Sequence, residues 1–371
     1  MKDPFTGCSF LLAIKSEQTL PVIPAGLSGN IMRDLNLTAP KKTEQRNLGL
    51  DLIKIIATVA VIGLHTIASR YSRVNLIAYC FFGCAMPLFF MTNGYSTLNK
   101  GKIDFLYSMQ KIRNILLITM FWNILGAVFD YIKTKDIQRI PVNILGPYIQ
   151  KGLMAQFWFF GTLVLIYLAL PLLKYIFDRP KLKWPLFALL FLACTAVTVL
   201  SVMKHTAITM KVPQTFRLWT WLFYYFLGGI LKQYQEKITH SLNFKLHAVL
   251  LAVFTAGYVL YQDQFYANAV KNRLAECTYD SIPIMLWVTA MFLFILRLNI
   301  NKKPKLAGAV GFISPLMFGC YIIHGPYAML LVSKLTNLWN ISSCPFDFAA
   351  VLVLSFLIVF MLRNINKNLS Y

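Results

Sequence analysis

The sequence predicts an all-α integral-membrane fold of about ten transmembrane helices, and three observations predict it. Hydrophobic residues make up 57% of the 371 and charged residues only 13%, with a mean hydropathy of +0.59; a soluble chain carries about 25% charged residues, so a water-soluble enzyme is excluded. Phe, Tyr and Trp supply 15% of the chain, which excludes disorder. The apolar residues gather into ten segments, each near the roughly 20 residues that one helical span requires.

The elements follow in order. Residues 1–45 hold Pro4, Pro21, Pro24, Pro40, Gly7, Gly26 and Gly29 and read as a mobile cytoplasmic tail; the apolar run Phe10–Ile14 is too short for a signal-peptide core. Residues 46–371 form the membrane domain. The first span, 48–69, follows the charged stretch Lys41–Arg46 and ends at Arg70 and Arg73. The second, 74–98, contains Pro87, Asn93 and Gly94 and ends at Lys100 and Lys102. The third, 112–132, gives way to a basic loop from Lys133 to Lys151, and the fourth, 157–177, to Arg179, Lys181 and Lys183. The fifth and sixth, 184–203 and 216–233, are divided by Lys204, Lys211 and Arg217. The seventh, 244–262, runs out before Lys271 and Arg273, and the eighth, 281–300, before Lys302, Lys303 and Lys305. The ninth, 306–332, holds Pro315 and Gly319, and the tenth, 346–363, precedes Lys367. Polar or kinked positions such as Asn93 and Pro315 survive in a span only where other helices or a cavity satisfy the backbone.

The net charge is +22, from 36 Lys and Arg against 14 Asp and Glu. The basic residues stand in short loops, so the excess reads first as topology and not as a nucleic-acid surface. With the amino terminus inside, 24 of the 36 fall on the inner side and 12 on the outer. Cytoplasmic loops are the basic ones, which puts both termini in the cytoplasm of a multi-pass protein of the cell (plasma or inner) membrane. The loop 133–151 dissents, with four basic residues outside. Of seven cysteines, Cys80, Cys84, Cys194 and Cys320 lie in apolar runs as packing; no CxxC pair and no Cys/His ligand spacing appears, so no metal site is expected.

Chemistry concentrates in the first span, which reads Asp51-Leu-Ile-Lys54 and, after ten intervening residues, His65. Ionisable residues in a span are costly and point to function. Eleven residues are close to three helical turns, so Lys54 and His65 share a face about 16 Å apart along the axis. Each has a plain structural reading beside the functional one. Lys54 can snorkel to the interface and pair with Asp51, and His65 can be a hydrogen-bonded core histidine. His205, His240 and His247 stand near loops or span ends and read as solvated or interfacial.

The spacing Lys54-x10-His65 resembles the first helix of acyltransferase family 3, and further stretches follow the family's order. Met86-Pro-Leu-Phe-Phe-Met-Thr-Asn93-Gly94-Tyr95 is similar to its PLFFxxSGY segment, with Asn93 where Ser is common. Phe157-Trp158-Phe-Phe resembles the start of its fourth span, Phe226-Leu-Gly-Gly-Ile230 a segment of its sixth, and Tyr321-Ile-Ile-His324-Gly-Pro326 its YLxHxP motif. The resemblance covers about 46–363. It implies an enzyme that moves an acetyl group from cytoplasmic acetyl-CoA to a hydroxyl of an extracytoplasmic cell-envelope glycan or polysaccharide, with no permanently bound cofactor. It implies His65 as the catalytic residue, acting as general base on the acceptor hydroxyl or itself acylated. Lys54, Lys111 and Arg113, at the inner ends of their spans, would bind the CoA phosphates. Trp158, Tyr321 and His324 fall on the acceptor side; Asp51 and Asn93 have positioning roles. The family's Arg-x-x-Arg before the third span is here Gln110-Lys111-Ile112-Arg113, so Gln110 replaces the first Arg. For His324 a structural reading stands equally: beside Gly325 and Pro326 it can bond a carbonyl freed by a helix break.

The competing class is a transporter. Coupled carriers place carboxylates within spans, yet none of the fourteen acids is central in one, and no half-segment repeat is present. A passive glycolipid flippase without acyl-transfer activity is the alternative that this pattern leaves.

Overall fold

The computed structural model describes residues 46–67, 73–241, 243–339 and 343–368. The tail expected over 1–45 lies outside them. Among the described residues the chain forms α-helices joined by short 3-10 and π turns, with no strand.

Each of the ten expected segments has its helix. The first is α1 (Leu48–Thr66), opened by Asn47, whose side chain accepts from the Gly49 and Leu50 amides. The second is α2 (Arg73–Phe82) and α3 (Ala85–Thr97), separated by a turn at residues 83–84. The third is α4 (Phe105–Thr134), which begins seven residues before the apolar run. The reason is a cap: the Asp104 carboxylate accepts from the Tyr107 amide at 2.8 Å. Next come the short α5 (Arg139–Leu145) and the fourth segment, α6 (Trp158–Leu168) with α7 (Leu170–Phe177). These two are bent by 64°, because Pro171 has no N–H for the carbonyl of Tyr167. Then follow α8 (Pro180–Met203), α9 (Leu218–Ser241) and α10 (Phe244–Leu260), a π turn over Tyr261–Tyr266, and α11 (Ala267–Val270). The chain continues with α12 (Ile282–Arg297), α13 (Pro304–Ile323), a second π turn over His324–Ala328, α14 (Met329–Trp339) and α15 (Cys344–Asn368).

Among the described residues, eight helices are long and apolar enough to cross a membrane, or nine with the bent α6–α7 pair. The tenth, α9, is 24 residues long and rich in Trp and Tyr. Its middle is enclosed by protein: Trp221, Tyr224, Tyr225 and Phe226 are fully buried.

Helices α3 and α9 approach each other closely. A Cβ added at Gly94 would land on the carbonyl oxygen of Tyr225, and one at Gly228 on the carbonyl oxygen of Met91. The two helices therefore cross backbone to backbone, which only glycine permits at both positions. Beside the crossing, Phe90 stacks on Trp221 at 4.7 Å, and Trp221 meets Trp158 at 5.1 Å and Tyr279 at 5.5 Å. Helix α1 packs on α3, α13 and α15. The basic loop 133–151 is no loose excursion. Asp130 takes hydrogen bonds from Arg139 at 3.0 Å and Asn143 at 2.8 Å, and Asn123 donates to the Ile144 carbonyl, which folds α5 over the end of α4.

His247 departs from expectation. It is 2% exposed, with Nε2 3.1 Å from the Ala290 carbonyl oxygen and its ring against Phe294, because the first turn of α10 packs on α12. Cys80, Cys84, Cys194 and Cys320 are buried free thiols.

Candidate active site

The site forms where the last turn of α1 meets the π turn between α13 and α14. Pro315 is accommodated within α13, but Pro326 has a different effect. It leaves the carbonyl of Ile322 without the N–H that an α-helix would bring to it. The chain widens into a π turn, a device frequent at functional sites. The turn sets His324 on the inner side, fully buried, with its ring 5.3 Å from that of His65 and tilted 37°. His65 itself is exposed, so the pair joins one accessible ring to one buried ring. Two histidines 259 positions apart in sequence are thus neighbours.

The nitrogens of His324 have distinct environments. Nδ1 lies 2.7 Å from the Tyr321 carbonyl oxygen, whereas Nε2 is buried and meets no partner among the described residues. A carbonyl only accepts, so Nδ1 carries the proton and Nε2 the lone pair. The structural reading of His324 holds for one nitrogen, and the other is left over.

Tyr321 anchors this turn. Its hydroxyl donates to the Gln156 carbonyl oxygen at 2.6 Å, and its ring sits among Phe89, Phe159 and Phe160. Gln156 also presses its amide against Gly325, where any side chain would meet it. Trp158 stands on the far side of Phe159, against Trp221, and packs the wall behind Tyr321.

Two further residues at this end carry no obvious signal in the sequence. Trp122 of α4 and Tyr327 of the π turn lie edge to face at 5.8 Å, and both Nε1 and Oη are buried without a partner. Tyr327 Oη faces Gly126. A tryptophan in an apolar span and a tyrosine after a proline read as packing, as does Gln156 before an aromatic run; only the fold brings them beside the histidines.

At the amino-terminal end of α1, Asp51 is buried and pairs with Arg46 and with Lys54, the latter at 3.2 Å. The pairing expected for Lys54 is formed, and its side chain remains 45% exposed. The Lys111 ammonium sits over the Tyr107 ring at 5.5 Å, and Lys100 over the same ring at 5.0 Å. Lys111 lies one turn from Ser108 and Ile115, beside the buried stripe of α4, whereas Arg113 faces outward with Leu117 and Phe121. The structure therefore gathers Lys111 and Lys100 and leaves Arg113 apart. Asn93 accepts from the Tyr167 hydroxyl at 2.7 Å, tying α3 to α6, and the adjacent Gly94 makes the α9 contact. Among the described residues, no three His, Cys, Asp or Glu side chains gather as a metal site would require.

These features define a polytopic helical membrane protein with a paired-histidine site, one ring buried and one exposed. The chain belongs to acyltransferase family 3: the family's acyltransferase-domain model matches residues 47–363. Its helices are long and apolar enough to make it a multi-pass membrane protein of that family. A protein of Enterococcus faecalis named amino-acid racemase is 24% identical over 352 residues, covering 88% of this chain and 47% of that protein. The chain thus spans about half the length of that curated relative. No solved structure matches the chain.

Proposed function

We propose that this membrane acyltransferase moves an acetyl group from acetyl-CoA to a hydroxyl of an extracytoplasmic cell-envelope glycan. The reading places both termini on the cytoplasmic face of the cell membrane. The observation that carries it is the His65–His324 pair: two adjacent imidazoles, one exposed and one buried with an unengaged nitrogen. Acyl transfer to a hydroxyl needs such proton acceptors. The acceptor oxygen attacks the thioester carbonyl, the C–O bond forms and the C–S bond breaks. The hydroxyl proton ends on the leaving sulfur. His65 is the catalytic imidazole that delivers this proton.

The donor's phosphates are assigned to Lys54, Lys111 and Arg113. The half-exposed ammonium of Lys54 and the Lys111–Tyr107 stack support the first two; Arg113 faces outward with Leu117 and Phe121 and rests on the family resemblance alone. Asp51 positions Lys54, Asn93 holds α3 to α6, and Trp158, Tyr321 and His324 shape the acceptor side. The racemase-named relative is about twice as long as the region it shares with this chain.

The test is O-acetylation of the envelope glycan with and without the gene, read by NMR. Loss of O-acetyl signals on deletion, restored by the wild-type gene and not by His65→Ala, is expected. Unchanged O-acetylation with altered glycolipid distribution across the membrane would favour the flippase reading instead.

A further inference from the structure

The unengaged nitrogen of His324 has a consequence for the acceptor half of the reaction. Tyr321 fixes which nitrogen is which. Its carbonyl oxygen, 2.7 Å from Nδ1, holds the proton there, and its hydroxyl, bonded to the Gln156 carbonyl, holds the turn. The ring cannot present Nε2 as a donor without giving up the Nδ1 bond. Nε2 is therefore a lone pair of fixed direction, fully buried and unsatisfied. A buried polar atom without a partner is costly. His65 is next to it, yet the two rings form no hydrogen bond with each other. What this lone pair lacks is a hydrogen-bond donor, and a hydroxyl entering beside His65 supplies one.

We propose that His324 Nε2 is the base that first takes the proton of the acceptor hydroxyl. This rests on the acetyltransferase reading and adds a second catalytic histidine to it. The acceptor O–H donates to Nε2; as the C–O bond forms, the proton passes to Nε2 and the ring becomes an imidazolium still bonded through Nδ1–H to Tyr321. The C–S bond breaks, and the proton crosses to the adjacent His65 and on to the thiolate, which leaves as the thiol. Both imidazoles return to their starting state.

The experiment compares two acceptors with purified protein and labelled acetyl-CoA: an oligosaccharide digest of the envelope glycan, and hydroxylamine. Hydroxylamine attacks thioesters without a base. The variant is His324→Asn, whose amide nitrogen keeps a donor near the Tyr321 carbonyl and removes the Nε2 lone pair. Transfer to the glycan falls at least about 100-fold, while transfer to hydroxylamine, corrected with His65→Ala as blank, stays within about threefold. Thermal unfolding in detergent checks that the variant is folded. Equal loss with both acceptors in a folded variant overturns the proposal, leaving His324 as a purely structural residue. Full retention with both acceptors overturns it as well. If the wild type transfers to neither acceptor, the acetyltransferase reading fails first and this proposal with it. For a variant that does not fold, His324→Gln, which places an amide near Nε2, takes its place with the same two acceptors and the same outcomes.

Discussion

Replacing Gly94 by alanine tests how the bundle is closed around its site. The added Cβ would coincide with the carbonyl oxygen of Tyr225. That oxygen belongs to the backbone of α9, so no side chain can rotate away, and the helices themselves have to separate. Separation disturbs the Phe90–Trp221 stack at 4.7 Å and the Asn93–Tyr167 hydrogen bond, both carried by α3 next to the crossing. Overpacking a well-filled core costs about 1–3 kcal/mol, and a backbone clash belongs at the upper end, about 3 kcal/mol. Gly228→Ala makes the reciprocal clash with Met91. Once one alanine has pushed the helices apart, the second finds room. The pair is therefore expected to cost less than the two single changes added together, by about 1–2 kcal/mol. The assay is thermal or denaturant unfolding of the four proteins in one detergent. Wild-type stability of Gly94→Ala, or strict additivity of the two changes, refutes a backbone crossing at these glycines.

Other outcomes follow from the same geometry. Tyr321→Phe leaves the buried Gln156 carbonyl unsatisfied, so the protein loses about 1–3 kcal/mol of stability and transfer slows; equal melting temperatures and rates contradict this. Tyr327→Phe removes a buried hydroxyl that has no protein partner, so stability is unchanged or rises, whereas the acceptor KM rises about 5-fold if the hydroxyl meets the acceptor; an unchanged KM removes Tyr327 from the site. Neutralising Lys54 or Lys111 to Gln raises the donor KM about 3- to 10-fold, roughly the loss of one charge-assisted bond, with a smaller effect for outward-facing Arg113; an unchanged donor KM removes that residue. Glu276, in the loop before α12, has its carboxyl raised above the ordinary range by burial, with Arg217 opposing the shift. A carboxyl whose folded value is raised favours folding below its unfolded value, and this contribution is lost as pH rises through the folded one. The stability of Glu276→Gln relative to wild type therefore improves from acid to neutral pH; a pH-independent difference contradicts it.

The parts of this architecture visible in the sequence are those governed by composition and local period. Ten apolar runs became helices because each can satisfy its own backbone in lipid. The Lys54-to-His65 register holds because α1 is continuous from Leu48 to Thr66. The close approach at Gly94 is legible because glycine beside Asn93 in an apolar span has few other uses. Helix starts set by a polar cap are less visible: α4 begins at Asp104's cap and not at the apolar run. The 64° bend at residue 169 depends on where Pro171 falls relative to its neighbours. Partnerships across the bundle are not legible at all. His65 meets His324, and Tyr321 meets Gln156 165 positions away, through packing that no local pattern encodes. His247 looked interfacial because it opens a helix, yet α12 covers it.

The most direct measurement of the central claim uses purified protein in liposomes, supplied with radiolabelled acetyl-CoA on one face and envelope glycan on the other. Label is expected on the glycan as base-labile O-acetyl ester with wild-type protein, and at background with His65→Ala. Undiminished transfer by His65→Ala contradicts the account.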